Sequence, residues 1–457
     1  MTISYDCIVT NGLVVLPNEV RKLDIGIRNG QIIALSDSLA DATADTYIHA
    51  EGQYVLPGMI DIHVHFNEPN FDHWEGFATG SAALAAGGCT SYVDMPLNGN
   101  PPTTTTESLT LKSEKALGRS VVDYTFWGGL VPGNLDHLEA LSEAGVVGFK
   151  AFMSNPGGEG EGRFRETDDW TLYEGMKRVA ALGGFVALHA ENDNITSTLT
   201  EEALAAGRTD ARAFVASRPI IAELEAVNKA LLFAELTGCK VHFVHISSMD
   251  AVEMIDRAKQ RGLPVTVETC PHYLLLTEDD MVELGPVAKC APPLRSADQK
   301  EGLWRMIREG KLDVIASDHS PCPPALKFQE ELSFFEAWGG ISSAQSSMEL
   351  MLNEGRKRDI PVPVISALLS EGPAKRFELY PRKGIIAIGS DADLAIVDPN
   401  QAYTLKAEDL LYKHKHSPYI GKEISCKITS TLVRGELIYS GDRGIVTANW
   451  GQQLLSS

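Results

Sequence analysis

The sequence predicts an α/β fold: a (β/α)8 barrel carrying a small β-sandwich domain built from both ends of the chain. Three observations carry that reading. Eight apolar, strand-like runs recur between residues 59 and 321, separated by longer segments that suit helices. Strands alternating with helices imply a parallel sheet, and eight repeats imply a closed one. The residues on either side of this region read instead as short strands joined by tight turns.

Residues 1–52 form the first part of the small domain. Asn11-Gly12 and Asn29-Gly30 sit between apolar runs, and Asn-Gly is the strongest short hairpin signal. Residues 25–35 read as one such hairpin. The barrel is expected over 53–382. Its strands are predicted at 59–66, 89–96, 124–130, 146–153, 185–192, 240–247, 264–276 and 314–321. They are nearly all apolar, as expected when helices cover both faces. Helices are predicted at 74–86, 106–117, 168–182, 219–237, 249–260 and 298–309, with Thr104 and Glu107 offering a capping box before the second. From Lys383 the hairpin pattern returns, so 383–457 is expected to complete the β-sandwich. The glycine-rich stretch 157–162 lacks the Gly-Lys-Ser/Thr ending of a phosphate loop and carries glutamates that would repel phosphate. It reads as a mobile loop at the barrel mouth.

Composition narrows the function. The chain has 457 residues, 44% hydrophobic and 22% charged, which is ordinary for a soluble globular protein. A formal charge of −21 disfavours nucleic acid and anionic membranes as partners. No stretch approaches the ~20 apolar residues of a membrane span. The first residues, Met-Thr-Ile-Ser-Tyr-Asp, lack the basic and apolar regions of a signal peptide. Seven dispersed cysteines without a CxxC pair predict reduced thiols in a cytoplasm rather than disulfides or a cysteine zinc site.

Catalytic groups of such barrels come from the C-terminal ends of strands. Here His63 and His65 end the first. They lie two residues apart, so in a strand they share a face on which two imidazoles can hold a metal. Lys150 ends the fourth, His189 the fifth, His245 the sixth and Asp318 the eighth. Each alone is compatible with a satisfied core residue. Five strand ends carrying ligand types point to a metal site. His242, three residues before His245, faces the other way and reads as packed or as a support behind the ligands. His272 and His319 are open between a supporting and a structural role.

The stretches Gly148-Phe-Lys-Ala-Phe-Met153, Glu268-Thr-Cys-Pro-His-Tyr273, Lys289-Cys-Ala-Pro-Pro-Leu-Arg295 and Ser317-Asp-His-Ser-Pro-Cys322 resemble a known family. They are similar to the cyclic amidohydrolases of the amidohydrolase superfamily, which comprise allantoinases, dihydropyrimidinases (hydantoinases) and dihydroorotases. The likeness runs nearly end to end and is greatest to the allantoinase branch. It implies two divalent metal ions, zinc first and iron, cobalt, manganese or nickel as alternatives. His63, His65 and Asp318 would hold one, and His189 and His245 the other. Lys150 would bridge both as a carbamate formed with CO2, since an ammonium has no lone pair to give. A metal-bridging hydroxide would attack the ring carbonyl, with Asp318 as general base and then acid.

The resemblance also implies a homotetramer. Asn67 stands where dihydroorotases carry an arginine for the substrate carboxylate, and Asn155 where hydantoinases carry a tyrosine. Both departures favour allantoin, a neutral ring with a ureido tail, opened to allantoate. Asn98, Asn155, Ser320 and the backbone at Ala291 and Pro292 are the candidate substrate contacts. A hydantoinase or dihydropyrimidinase, and then a dihydroorotase, are the alternative readings. A non-catalytic scaffold of the same fold is disfavoured, because no ligand position has been lost.

Overall fold

Strand-forming residues open and close the chain, and in the computed structural model they meet in one sheet. The structure describes residues 4–157 and 163–454; the glycine-rich reading at 157–162 therefore lies, past Gly157, outside the described residues. The N-terminal strands are Ser4–Val15, Val20–Arg28, Gln31–Ser36, Thr43–His49 and Tyr54–Pro57. Those from the other end are Leu394–Asp398, Lys427–Val433, Glu436–Ser440 and Gly444–Ile445. Together they make a nine-stranded sheet. The two ends join where Tyr54–Pro57 pairs antiparallel with Leu394–Asp398, placing Val55 opposite Ile396. The N-terminal share of the sheet thus continues past residue 52.

The two Asn-Gly signals have different outcomes. At Asn29-Gly30 the chain turns: both residues have positive φ, 51° and 76°, as a two-residue turn matching strand twist requires. Asn11-Gly12 makes no turn. Ser4–Val15 runs straight through it and pairs on both sides with Val20–Arg28, with a register shift between Val9 and Gly12. Asn11, at φ 59°, donates its N–H to Asp24 Oδ1 at 2.7 Å. The same backbone preference that closes a hairpin here makes a β-bulge. Residues 384–390 likewise form no hairpin. Ile32 N–H donates to Ser390 C=O and Gly389 N–H to Ile32 C=O, and the ladder resumes only at Leu394.

Between the two ends lie parallel strands in sequence order. Met59–Val64, Cys89–Asp94 and Asp123–Phe126 form a three-stranded sheet. Gly128–Gly129, Phe149–Phe152, Phe185–His189, Lys240–Phe243, Val265–Thr269 and Val314–Ile315 form a six-stranded one. The sheets approach each other at two seams. Val147 N–H donates to Phe126 C=O at 3.0 Å, and His65 N–H donates to His319 C=O at 2.8 Å. Helices Phe77–Ala86, Thr106–Ala116, Asp169–Ala181, Ile220–Thr237, Met249–Gln260 and Ala297–Arg308 fill the intervals. The seventh apolar run is not one strand. It ends at Thr269, and Pro271–Leu275 is helical, because proline suits the first helical turn and cannot extend a ladder. The capping box before Thr106–Ala116 lies one residue later than expected, on Thr105 and Ser108.

A buried ion cluster fastens the parallel strands to the C-terminal segment. Lys383 Nζ lies 2.9 Å from Asp123 Oδ2, 2.6 Å from Asp393 Oδ2 and 3.1 Å from Asp391 Oδ2. Arg434 also pairs with Asp123. Burial opposes the charge of Lys383, yet the three carboxylates hold its ammonium above the usual lysine range. Removing one partner of a buried pair leaves uncompensated charge, at a cost of about 3–5 kcal/mol. Lys383→Met is expected to lower unfolding stability by that amount in denaturant titrations; a loss within the range of a surface substitution would mean the cluster is not what joins the two parts.

Candidate active site

The strand ends converge on a cavity of about 970 Å3, whose wall includes His63, His65, His189, His245 and Asp318. Strand alternation explains the first pair. His63 closes on Asp318 Oδ1 at 3.2 Å through Nε2, and His65 reaches the same oxygen at 3.5 Å. His189, the last residue of Phe185–His189, places Nδ1 3.1 Å from His245 Nε2. His245 and Asp318 are both non-glycine residues at positive φ, 38° and 46°, a conformation kept only where the surroundings impose it. Lys150 lies in the middle of Phe149–Phe152 and is fully buried. Its Nζ has no hydrogen-bond partner among the described residues and sits 4.7 Å from the Phe152 ring centroid. Burial lowers it to about 8.

Two buried glutamates orient this set. Glu268 Oε1 lies 2.9 Å from His63 Nδ1 and accepts the His245 backbone N–H at 2.9 Å, while Oε2 lies 3.2 Å from His242 Nε2. Burial pushes the Glu268 carboxyl up, but His63 and His242 outweigh it and hold it at about 2. Glu191 Oε2 lies 2.8 Å from His189 Nε2 and accepts from Arg218 Nη1 at 2.8 Å. Against burial, Arg218 and His189 hold it at about 2 as well. An ionised carboxylate on one ring nitrogen leaves the other nitrogen's lone pair facing the cavity. Burial lowers His189 and pushes His245 well down, so both imidazoles are neutral at pH 7. Asp318 is also driven up by burial, but His63, His65 and His245 draw its carboxyl far below the usual range.

These residues fit divalent metal ions. Donor atoms of His63, His65 and Asp318 lie within 4.8 Å of one another. His189 and His245 offer a second pair of neutral nitrogens. Between them a buried lysine without a partner is costly unless it is neutralised or modified.

The remaining candidates separate. Asn98, Asn155, Ala291 and Ser320 line the cavity. Pro292 does not; its C=O accepts from the Tyr273 hydroxyl at 2.7 Å, in the interior. Asn155 Oδ1 is held within its own loop by Gly157 N–H and Arg163 Nη1. Asn67 is buried and off the cavity wall; its Oδ1 accepts from Asn98 Nδ2 at 3.1 Å. It therefore meets the cavity wall only through Asn98. His242 is held between Thr266 and Glu268, and His319 Nδ1 accepts from Ser343 N–H. Both are scaffold.

Several wall residues carried no clear signal in the sequence. Arg218 and Lys289 reach the cavity from loops, where no periodicity marks them. Lys289 Nζ donates to the C=O groups of Phe335 and Ala337, pinning the 335–339 segment over the opening. Glu191 was readable in part, since it follows His189 by two residues.

The amidohydrolase family profile matches residues 54–438. The chain is 42% identical over 454 residues to an allantoinase of Escherichia coli O139:H28, covering 99% of each. It is 47% identical over 441 residues to an allantoinase of Rubrobacter xylanophilus, covering 96% of this chain and 95% of the other. Among solved structures, the L-hydantoinase (dihydropyrimidinase) of Arthrobacter aurescens superposes with a TM-score of 0.95 at 34% identity, over 99% of this chain and 100% of that one.

Glu268 should matter to metal retention although it faces no ligand cavity. Losing an outer partner of a metal-binding histidine typically costs about 10–100-fold in affinity. Glu268→Gln is expected to fall in that range when metal content is titrated against a chelator; unchanged affinity would show that His63 and His245 are oriented without it.

Proposed function

The chain belongs to the amidohydrolase family, and on that premise we propose that it opens allantoin to allantoate with the help of two divalent metal ions. The observation that carries the chemistry is Lys150, fully buried and, among the described residues, unpartnered, within electrostatic reach of His189, His245 and Asp318. His63, His65 and Asp318 would hold one ion and His189 and His245 the other, and Lys150, modified to a carbamate, would supply oxygen donors to both. Neutral imidazoles and carboxylates suit zinc, and also iron, cobalt, manganese or nickel. When bound, the ions supply an acidified water and polarise the ring carbonyl.

The chain's own part is proton handling and positioning. Asp318 is ionised at neutral pH and accepts a proton from the water that adds to the carbonyl carbon. A C–O bond forms, the ring C–N bond breaks, and Asp318 returns the proton to the leaving nitrogen. The product is a single open-chain molecule bearing the freed ureide nitrogen and a new carboxyl group, which loses its proton to solvent as the carboxylate. Asn98, Ser320 and the Ala291 backbone face the ring and its tail from the cavity wall. Asn155, with its oxygen engaged, keeps its N–H groups for a ureido carbonyl.

The same reading extends to the architecture. The two parallel sheets form one (β/α)8 barrel over about 53–382, a view supported by the seams at Phe126 and His319. The end-built sheet folds as a β-sandwich, supported by shared packing of Val9, Ile25, Leu394 and Leu432. Seven unpaired, buried cysteines accord with a cytoplasmic setting. Ile221, Leu232 and Leu236, exposed on one helix, accord with a homotetramer. Among the described residues no helix is long and apolar enough to cross a membrane.

Hydantoin or dihydropyrimidine opening is the second reading, favoured by the L-hydantoinase superposition. Allantoin, hydantoin, dihydrouracil and dihydroorotate should be compared on one metal-loaded preparation. A site built around a polar tail rejects analogues lacking it by up to about 10⁴–10⁵-fold, so kcat/KM for allantoin should lead by orders of magnitude. A lead for dihydrouracil or hydantoin would transfer the protein to the second reading. In the same preparation Asp318→Asn should lower kcat by about 10²–10⁴-fold, with metal content measured alongside; retained metal and near-normal kcat would remove Asp318 from proton transfer.

A further inference from the structure

Beside Asp318 stand two further donors, Cys270 and His272, that the proposed reaction does not use. Cys270 follows the strand Val265–Thr269, and His272 stands in the short helix Pro271–Leu275. Donor atoms of Cys270, His272 and Asp318 lie within 4.8 Å of one another. His272 is fully buried, and neither ring nitrogen has a hydrogen-bond partner among the described residues. A buried imidazole wanting both partners is costly, and its ring, 4.2 Å between centroids from Tyr273, is fixed by packing. Burial lowers it to about 4, so it is a neutral ring with a lone pair to give. Cys270 is buried too, and the nearby Glu268 and Asp318 carboxylates add to burial in keeping it a thiol.

We propose that Cys270, His272 and Asp318 form a third, inhibitory site for a thiophilic divalent cation such as Zn2+ or Cd2+. Sulfur, imidazole nitrogen and carboxylate oxygen are a donor set of the kind zinc takes. Binding forms one metal–sulfur bond and releases the thiol proton to solvent. Thiolate and carboxylate together balance the charge of the ion. The ion takes hold of Asp318, the residue placed at the proton-transfer step, so occupancy stops turnover without removing the resident ions. This part rests on the reading of Asp318 given above; occupancy itself does not.

The test uses the holoenzyme with its resident metals and adds Cd2+. A His/carboxylate site gives no thiolate-to-cadmium charge-transfer band, so the ultraviolet spectrum reports Cys270 independently of activity. Wild type is expected to gain the band with one further equivalent of metal, and to lose activity in parallel. Cys270→Ala should lose the band and the additional equivalent, and His272→Gln should weaken both by more than about 100-fold, beyond the about 10–100-fold typical of losing an outer partner. Cys290→Ala, which alters a neighbouring buried thiol, should keep the band. A wild type that shows no band up to saturating Cd2+, or a Cys290→Ala that loses it while Cys270→Ala keeps it, overturns the proposal. A band without inhibition upholds the site and overturns the role given to Asp318. Should Cys270→Ala not fold, Cys270→Ser carries the same expectation, because a hydroxyl gives no such band.

Discussion

One buried carboxylate sets the geometry on which the site depends. Glu268 stands on the strand Val265–Thr269 and reaches His63 on Met59–Val64, His242 on Lys240–Phe243 and the backbone of His245 beyond it. A charge taken out of water needs this many partners, because the desolvation penalty of an isolated carboxylate is several kcal/mol. Its partners are thereby fixed in turn. His63 is held with Nε2 toward the cavity, and the chain at His245 is held at a positive φ that the residue would not otherwise adopt. Glu191 does the same for His189, with Arg218 as its counter-charge. His63 and His189 are thus oriented by carboxylates that do not themselves face the cavity, while His65 Nδ1 is set against the Leu97 C=O at 3.0 Å.

The buried lysines show three solutions to one problem. Lys383 is surrounded by Asp123, Asp391 and Asp393 and remains a cation. Lys289 and Lys327 lack carboxylate partners and donate to backbone carbonyls, and burial lowers them to about 7 and about 8. Both hold the 335–339 segment, so its position over the cavity depends on interior ammonium groups. Lys150 has neither carboxylate nor carbonyl partner. The first arrangement joins two parts of the molecule, the second shapes the cavity opening, and the third leaves an amine available for chemistry. Burial alone does not distinguish them; the partners do.

Much of the site's raw material was legible as spacing. His63 and His65 are two apart within an apolar strand, so alternation alone puts them on one face. His189, His245 and Asp318 lie toward the ends of apolar runs and Lys150 within one, and strand ends are where such folds gather function. The Asn29-Gly30 hairpin followed from backbone preference, and the joining of the two chain ends from the return of the same patterning. The sequence also misled where a local signal has two uses. Asn11-Gly12 allows a positive φ, but whether that closes a turn or makes a bulge depends on which strand lies alongside. The run through Cys270 is apolar enough for a long strand, yet Pro271 ends the ladder there.

Local chemistry and period are properties of the sequence itself: which side chains can bind a metal, which positions share a face, where the chain can turn. Partnership is not, because it is decided between residues far apart in the chain. His63 and Glu268 are separated by 205 positions and Lys383 and Asp123 by 260. Nothing in the neighbourhood of Glu268 marks it as the support of two histidines, and nothing around Arg218 places it on the cavity wall. Nor does its neighbourhood say that Asn67 faces Asn98 and not a ligand. Those assignments arise only when the parallel strands are brought side by side, since only then do buried charges have to find one another.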